Sequence, residues 1–425
     1  MLEAETKNEW TILDYLNDDC WCAVLQYVPV RDLIRTEGTS RHWQKRLLQY
    51  LRGVHLAVIE TYDFYRPKTP KRHANDTRLN LQKQAYESFA MWTNKLGSSV
   101  VATDCYSLET LKIIRENCPK LESLFFHDLP DSCGSGVFPY NLNKDFQSLK
   151  GLCFNNCCVT DNCINQFIAD KPLEDLDIRH CTKVTGDFLN TINLSSLKSL
   201  ALISCDNFDL EHLICADLGE LTSLILNHMK YRTLEVQEEI QYMLNRMPIL
   251  EYLEINNYND NMTCHDYGPL SRLTRLQHLL VSIQVPDEGV EAILQNCKEL
   301  TSLNFSDCAA MTGCSVAASV CRWGSRLRSL TLEGFEGLND EDVITIIRGC
   351  PELMSLELME SQYLTPNLPE LASEARHAVR PGVRLRLHID YSLMSDEVRL
   401  AQMCEEYDQF KSEYEDLDIE LLLLP

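Results

Sequence analysis

Ten times along this 425-residue chain the same short string returns: leucine, two residues, leucine, one residue, an apolar residue. It begins at Leu121 (LESLFF) and recurs from Leu149, Leu173, Leu197, Leu221, Leu250, Leu276, Leu300, Leu327 and Leu353, at steps of 24 to 29 residues. In each copy the second leucine and the next apolar residue are separated by one position, so both point to one face of a short strand. Between copies, apolar residues three or four apart predict helices, most clearly over 107–117, 289–296 and 341–348. Thr160 with Asp161, Thr185 with Asp187, Asp287, and Asn339 with Asp340 stand where helix N-caps are expected. Neither a lone strand nor a lone helix buries its apolar side; stacking such units in parallel buries one continuous core.

A period of this length is the signature of a leucine-rich-repeat solenoid. The expected fold is α/β, with about ten units over residues 121–392, parallel strands on the concave face and helices on the convex face. The pattern also absorbs many of the 19 cysteines. Cys157, Cys181, Cys205 and Cys308 each follow the last apolar strand residue by three positions. A small, weakly polar side chain there satisfies turn backbone inside the array, as in the cysteine-containing subclass of leucine-rich repeats. Cys153, Cys157, Cys158 and Cys163 lack the paired CxxC spacing of a zinc knuckle, so no metal and no cofactor is expected.

Residues 11–52 differ in kind. They show no strand alternation and read as three short helices. The first starts at Asn17 or Asp18 and runs to Tyr27, with Cys22, Val24, Leu25 and Val28 on its apolar side, and Pro29 stops it. Gly38 breaks the second helix, and the third carries Trp43, Leu47 and Leu48. Three helices in about 40 residues bury too little to stand alone and need a partner or the next domain. The string Tyr27-Val28-Pro29-Val30-Arg31-Asp32-Leu33, preceded by Leu16 and an acidic pair and followed by Ser40-Arg41 and Trp43, resembles an F-box. It departs from that family at Asn17, Leu25 and Gly38-Thr39, where Pro, Phe and a different lead-in are usual. The chain as a whole resembles the F-box and leucine-rich-repeat proteins. That resemblance implies a three-helix box over 8–52 that docks on the Skp adaptor of SCF ubiquitin ligases. The adaptor contacts it implies are Leu16, Val24, Leu25, Pro29, Val30, Leu33 and Trp43.

Residues 53–120 are expected to be a basic connector with a degenerate capping repeat. From Arg41 to Lys83 there are ten Lys and Arg against three acidic residues. Residues 393–425 form an acidic tail whose apolar end, Leu421 to Leu424, suits a helix followed by a strand that caps the array. The chain as a whole carries a formal net charge of −24, which argues against nucleic acid or an anionic membrane as partner. The opening MLEAETKNEW has three Glu and no apolar run, so a cytoplasmic or nuclear protein with reduced thiols is expected.

No phosphate loop, zinc-protease helix or nucleophile elbow is present, and no catalytic residue is expected. The resemblance implies a non-catalytic receptor: the box recruits adaptor, cullin and RING subunit while the repeats hold a protein target, the chain acting as one monomer in the complex. The alternative is a non-degradative leucine-rich-repeat scaffold. Strand residues between the buried positions are the expected target surface: Phe125, His127, Asn155, Asp175, Asp177, Arg179, Asn227, Tyr252, Glu254, Asn256 and His278, with Cys153, Ile203, Asn304, Glu333, Glu357 and Met359 beside them. Acidic side chains outnumber Arg179 on this surface, which points to a basic target segment.

Overall fold

The computed structural model describes residues 18–25, 43, 57–59, 100–105, 108–129, 145–168, 171–190, 194–229, 236–256, 268–282, 285–306, 312–335, 337–390 and 417–422. The chain divides into two compact units, one of residues 1–159 and 166–173, the other of 160–165 and 174–425.

The first unit holds helix α1 (Asp18–Leu25), strand β1 (Ala57–Ile59), strand β2 (Val100–Cys105), helix α2 (Leu108–Asn117), β3 (Ser123–His127) and β4 (Gly151–Asn155). Its four strands pair in parallel and in chain order. The string of apolar residues over 108–117 becomes α2, with Leu111 and Ile114 fully buried. Phe126 and Phe154, in register on adjacent strands, stack at 5.0 Å, and Phe167 meets Phe126 edge-on at 5.1 Å. Such aromatic pairs add to the burial of the leucines around them.

Helix α3 (Asp161–Ile168) shares its residues between the units. The second unit runs through β5 (Asp175–Arg179), a 3₁₀ turn at Asp187–Asn190, β6 (Ser199–Ile203), α4 (Glu211–Cys215), β7 (Ser223–Asn227), α5 (Val236–Asn245), β8 (Tyr252–Asn256), α6 (Gly268–Ser271) and β9 (His278–Val281). It continues with α7 (Asp287–Asn296), β10 (Ser302–Phe305), α8 (Gly313–Trp323), β11 (Ser329–Glu333), α9 (Asp340–Gly349), β12 (Ser355–Met359), α10 (Leu368–Val379), β13 (Leu385–Asp390) and β14 (Leu417–Leu422). All ten strands are parallel and pair in chain order, which defines a leucine-rich-repeat-type α/β solenoid. The strand leucine and the apolar residue two positions on, such as Leu200 with Leu202 and Leu303 with Phe305, are buried in each repeat from β3 to β12.

Three backbone rules repeat from unit to unit. The carbonyl just after the first repeat leucine accepts two N–H groups of the next repeat: Glu174 from Lys198 and Ser199, Lys198 from Thr222 and Ser223, Thr301 from Arg328 and Ser329. The residue just after the strand takes the left-handed conformation, with φ of 51 to 53° at Asp128, Asn156, His180, Ser204, His228 and Glu360. Gly334 stands in the same place. That turn aims the N–H of His180, Ser204 and His228 at the last carbonyl of the next strand, at 2.8 Å in each case. The inter-strand bond holds a conformation that non-glycine residues otherwise avoid.

The third rule corrects the expected caps. Asn339 closes a capping box, accepting from Glu341 and Asp342 N–H while Asp342 accepts from Asn339 N–H. Asp161, Asp287 and Asp340 instead reach into the next repeat. Each accepts from the backbone N–H and the hydroxyl of one threonine there: Thr185, Thr312 and Thr365. Asp161 also takes the Gly186 N–H at 2.8 Å. Asp161→Ala strands three backbone donors, of Thr185, Gly186 and Phe188, and an unmade hydrogen bond at a part-buried group costs about 1–3 kcal/mol. The urea midpoint is expected to fall accordingly, whereas Asp187→Ala, whose carboxylate is 72% exposed, is expected to leave it within about 0.5 kcal/mol.

The cysteines follow the repeat. The Cys157 thiol donates to the Asn155 carbonyl at 3.3 Å, Cys181 to Arg179 at 3.2 Å, and Cys205 to Ile178 at 3.4 Å. A second set ends helices: Cys297 donates to Leu270 and Cys350 to Val320, each in the preceding repeat. Cys308 lies outside the described residues. Among the described residues no group of three or more His, Cys, Asp or Glu is arranged to hold a metal ion.

Candidate functional site

In β5 to β12 the first and third residues face away from the helices, as do the second and fourth of β13, and the parallel register sets them in rows. One row reads Asp175, Ser199, Ser223, Tyr252, His278, Ser302, Ser329, Ser355, Arg386. The next reads Asp177, Ala201, Ile225, Glu254, Leu280, Asn304, Thr331, Glu357, His388. Serine lines most of the first row, so Tyr252 and His278 stand above a floor of small polar groups.

These side chains are tied to one another. Glu254 accepts from the Asn227 amide at 2.5 Å through one oxygen and from the Tyr252 hydroxyl at 2.8 Å through the other. The Asn227 oxygen accepts the Asn256 N–H at 3.1 Å, and Ser282 donates to the Asn256 oxygen at 2.9 Å. The Tyr252 and His278 rings lie 5.6 Å apart, tilted by 34°. Partial burial, and then the hydrogen bond to Glu254, push the Tyr252 phenol up to about 12. A network in which each member's orientation is set by the next is rigid before any partner arrives.

The structure therefore gathers Asn227, Tyr252, Glu254, Asn256 and His278 from the expected surface into one cluster. Ser282, which the sequence reading passed over, completes it; it follows β9 and falls outside the Leu-x-Leu string. Asn227 is 8% exposed, so its part is to hold Glu254 rather than to touch a partner. Asp177 and Arg179 pair with each other, the guanidinium meeting the carboxylate at 2.7–2.9 Å through Nε and a terminal nitrogen. Asp175 is exposed on the same strand. Glu357 accepts the Thr331 hydroxyl at 3.2 Å. In the first unit, Phe125, His127 and Asn155 are half-buried on the same side of β3 and β4, whereas Cys153 is buried.

Of the expected adaptor contacts, Leu16, Pro29, Val30 and Leu33 lie outside the described residues. Leu25 is 2% exposed, four residues from the buried Trp21, and Val24 is 50% exposed. Trp43 is half-buried, its ring edge-on to Trp21 at 5.7 Å.

No family profile matches this chain. Solved structures similar to it include internalin C2 from Listeria monocytogenes, at 16% identity and a TM-score of 0.32, covering 57% of this chain and 83% of that one. They also include the Rad7 and Elc1 complex in yeast, at 16% identity and a TM-score of 0.37, covering 82% of this chain and 90% of that one. Among the described residues no helix is long and apolar enough to cross a membrane.

Proposed function

We propose that this chain is the substrate-recognition subunit of an SCF-type ubiquitin-protein ligase, acting in the cytoplasm or nucleus without catalytic chemistry of its own. The segment around Tyr27 to Leu33 docks on the Skp adaptor, and the adaptor brings cullin and RING subunit. The strand face of the repeats holds a protein target. Ubiquitin transfer then gains from effective concentration and orientation, which binding alone supplies. The observation that supports target binding is the face itself: nine adjacent strands, β5 to β13, bury one side and offer polar and aromatic side chains on the other. At about 4.8 Å per strand the face spans on the order of 40 Å, the scale of a protein interface. Against an enzyme, five thiols are buried and pushed up to about 11 or 12, far from the thiolate a nucleophile needs.

The test separates the two ends. With the tagged full chain, Val30→Asp combined with Leu33→Asp is expected to lower cullin recovery at least tenfold while proteins stabilised by proteasome inhibition still bind. Asn304→Arg combined with Thr331→Arg, placed on β10 and β11, is expected to do the reverse. Cullin recovery untouched by the first pair sinks the ligase reading and leaves a non-degradative scaffold.

A further inference from the structure

Glu254 stands out on the strand face for what surrounds it. Its strand neighbours in register are Ile225 on β7 and Leu280 on β9, both apolar. Two residues away along its own strand lies Tyr252, whose ring leans toward His278. No ion pair involves Glu254 among the described residues, although the structure pairs Asp177 with Arg179 and Glu174 with Lys198. Arg179, three strands away, is already held by Asp177. A half-buried carboxylate between apolar and aromatic neighbours, kept in place by Asn227 and Tyr252, is a preorganised acceptor without a cation.

We infer that Glu254, with Tyr252, His278, Ile225 and Leu280, forms an anchor subsite for an arginine side chain of a bound protein segment. The inference rests on the reading of the strand face as the target surface and names what that surface selects. Each oxygen of Glu254 accepts one hydrogen bond from the protein and retains a second acceptor position. A guanidinium fork needs one acceptor on each oxygen, so the carboxylate is half satisfied and half available. The planar head also stacks on an aromatic ring, which an ammonium does less well. The methylene stem finds apolar surface at Ile225 and Leu280.

The probe is a blocked pentapeptide of glycine and serine with a central arginine, compared with its citrulline isostere, which keeps the shape and loses the charge. Binding to the full chain is followed by the methyl resonances of Ile225 and Leu280. The arginine peptide is expected to move both saturably and to bind at least fivefold more tightly than the citrulline peptide. Glu254→Gln is expected to bring the two within twofold of each other. Because the arginine-to-citrulline ratio is read within one protein, a change in folding does not imitate it. No saturable shift, an equal response to both peptides, or equal affinity for a lysine peptide overturns the arginine subsite. If Asn304→Arg with Thr331→Arg still abolishes target binding in that case, the face reading stands and only the subsite falls. If targets bind regardless of that pair while the arginine preference holds, the face reading fails instead.

Discussion

Arg376→Ala is expected to lower the stability of the repeat array by about 4 kcal/mol, near the top of the range for a single substitution. Arg376 is the largest fully buried side chain among the described residues, at 0% exposure on α10. Its Nε donates to the Val383 carbonyl at 3.0 Å and a terminal nitrogen donates to Pro351 at 3.3 Å. One guanidinium thus ties the turn before β13 to the turn before β12. Truncation leaves a cavity the size of the side chain, takes a donor from the Val383 carbonyl, and weakens the hold on Pro351, which Arg380 shares at 3.4 Å. Arg376→Lys is expected to recover less than half of the loss, because one ammonium on a flexible stem does not reproduce the fork. Urea unfolding followed by circular dichroism measures both. A midpoint for Arg376→Ala within 0.5 kcal/mol of the parent, about the scatter of a surface change, refutes the role.

The second large effect is alkaline unfolding. Burial pushes the thiols of Cys118, Cys157, Cys297 and Cys350 from an ordinary value of 9.0 up to about 12, and that of Cys205 up to about 11. Below pH 9 these thiols are protonated whether the chain is folded or not, and they leave stability unchanged. Above it the unfolded chain loses their protons and the folded chain does not, so stability falls as pH rises toward 12. Each unit costs about 1.4 kcal/mol per thiol. By about pH 10.5 the five together offset most of the 5–15 kcal/mol that a domain of ordinary stability holds. The expected result is that thiolate absorbance at 240 nm from these residues appears together with the loss of far-ultraviolet circular dichroism. Replacing Cys297 and Cys350 with alanine is expected to flatten the dependence of stability on pH between 9 and 11. Thiolate absorbance from the buried set in a fully folded protein at pH 10 contradicts the assignment.

The repeat was legible because its rule is local. A leucine at each of two alternating positions suffices to place a strand, and ten copies place their strands where the structure has them, from β3 to β12. The helix edges at Asn117 and Asn296 follow from apolar spacing alone. Four strands, β1, β2, β13 and β14, fall outside that rule. Strand β13 has the alternation of Leu385, Leu387 and Ile389 without the leading leucine of the string, and β1 is three residues long. The turn residues after the strands left no mark either. Ser204 has no intrinsic preference for positive φ, and its N–H bond to Asn227 on the neighbouring strand holds it there.

At the site, alternation along a strand tells which side chains share a face, but not that Asn227 and Cys153 are buried there. Nor does it tell which of those side chains act together. Asp177 and Glu254 occupy the same row and read alike in sequence, yet one is held by Arg179 two positions away on its own strand and the other forms no ion pair among the described residues. Likewise Asp161, Asp287 and Asp340 look like helix caps by position, but their partners lie 25 residues on, in the next repeat.

Periodicity acts through neighbours in the chain, so the amino-acid order alone determined that this protein stacks parallel strands and helices and which face of each strand is buried. Hydrogen-bond partners, the isolation of Glu254 and the burial of Arg376 depend on residues brought together from different repeats. Those distances exist only after the repeats have stacked, and the tertiary structure alone decided them.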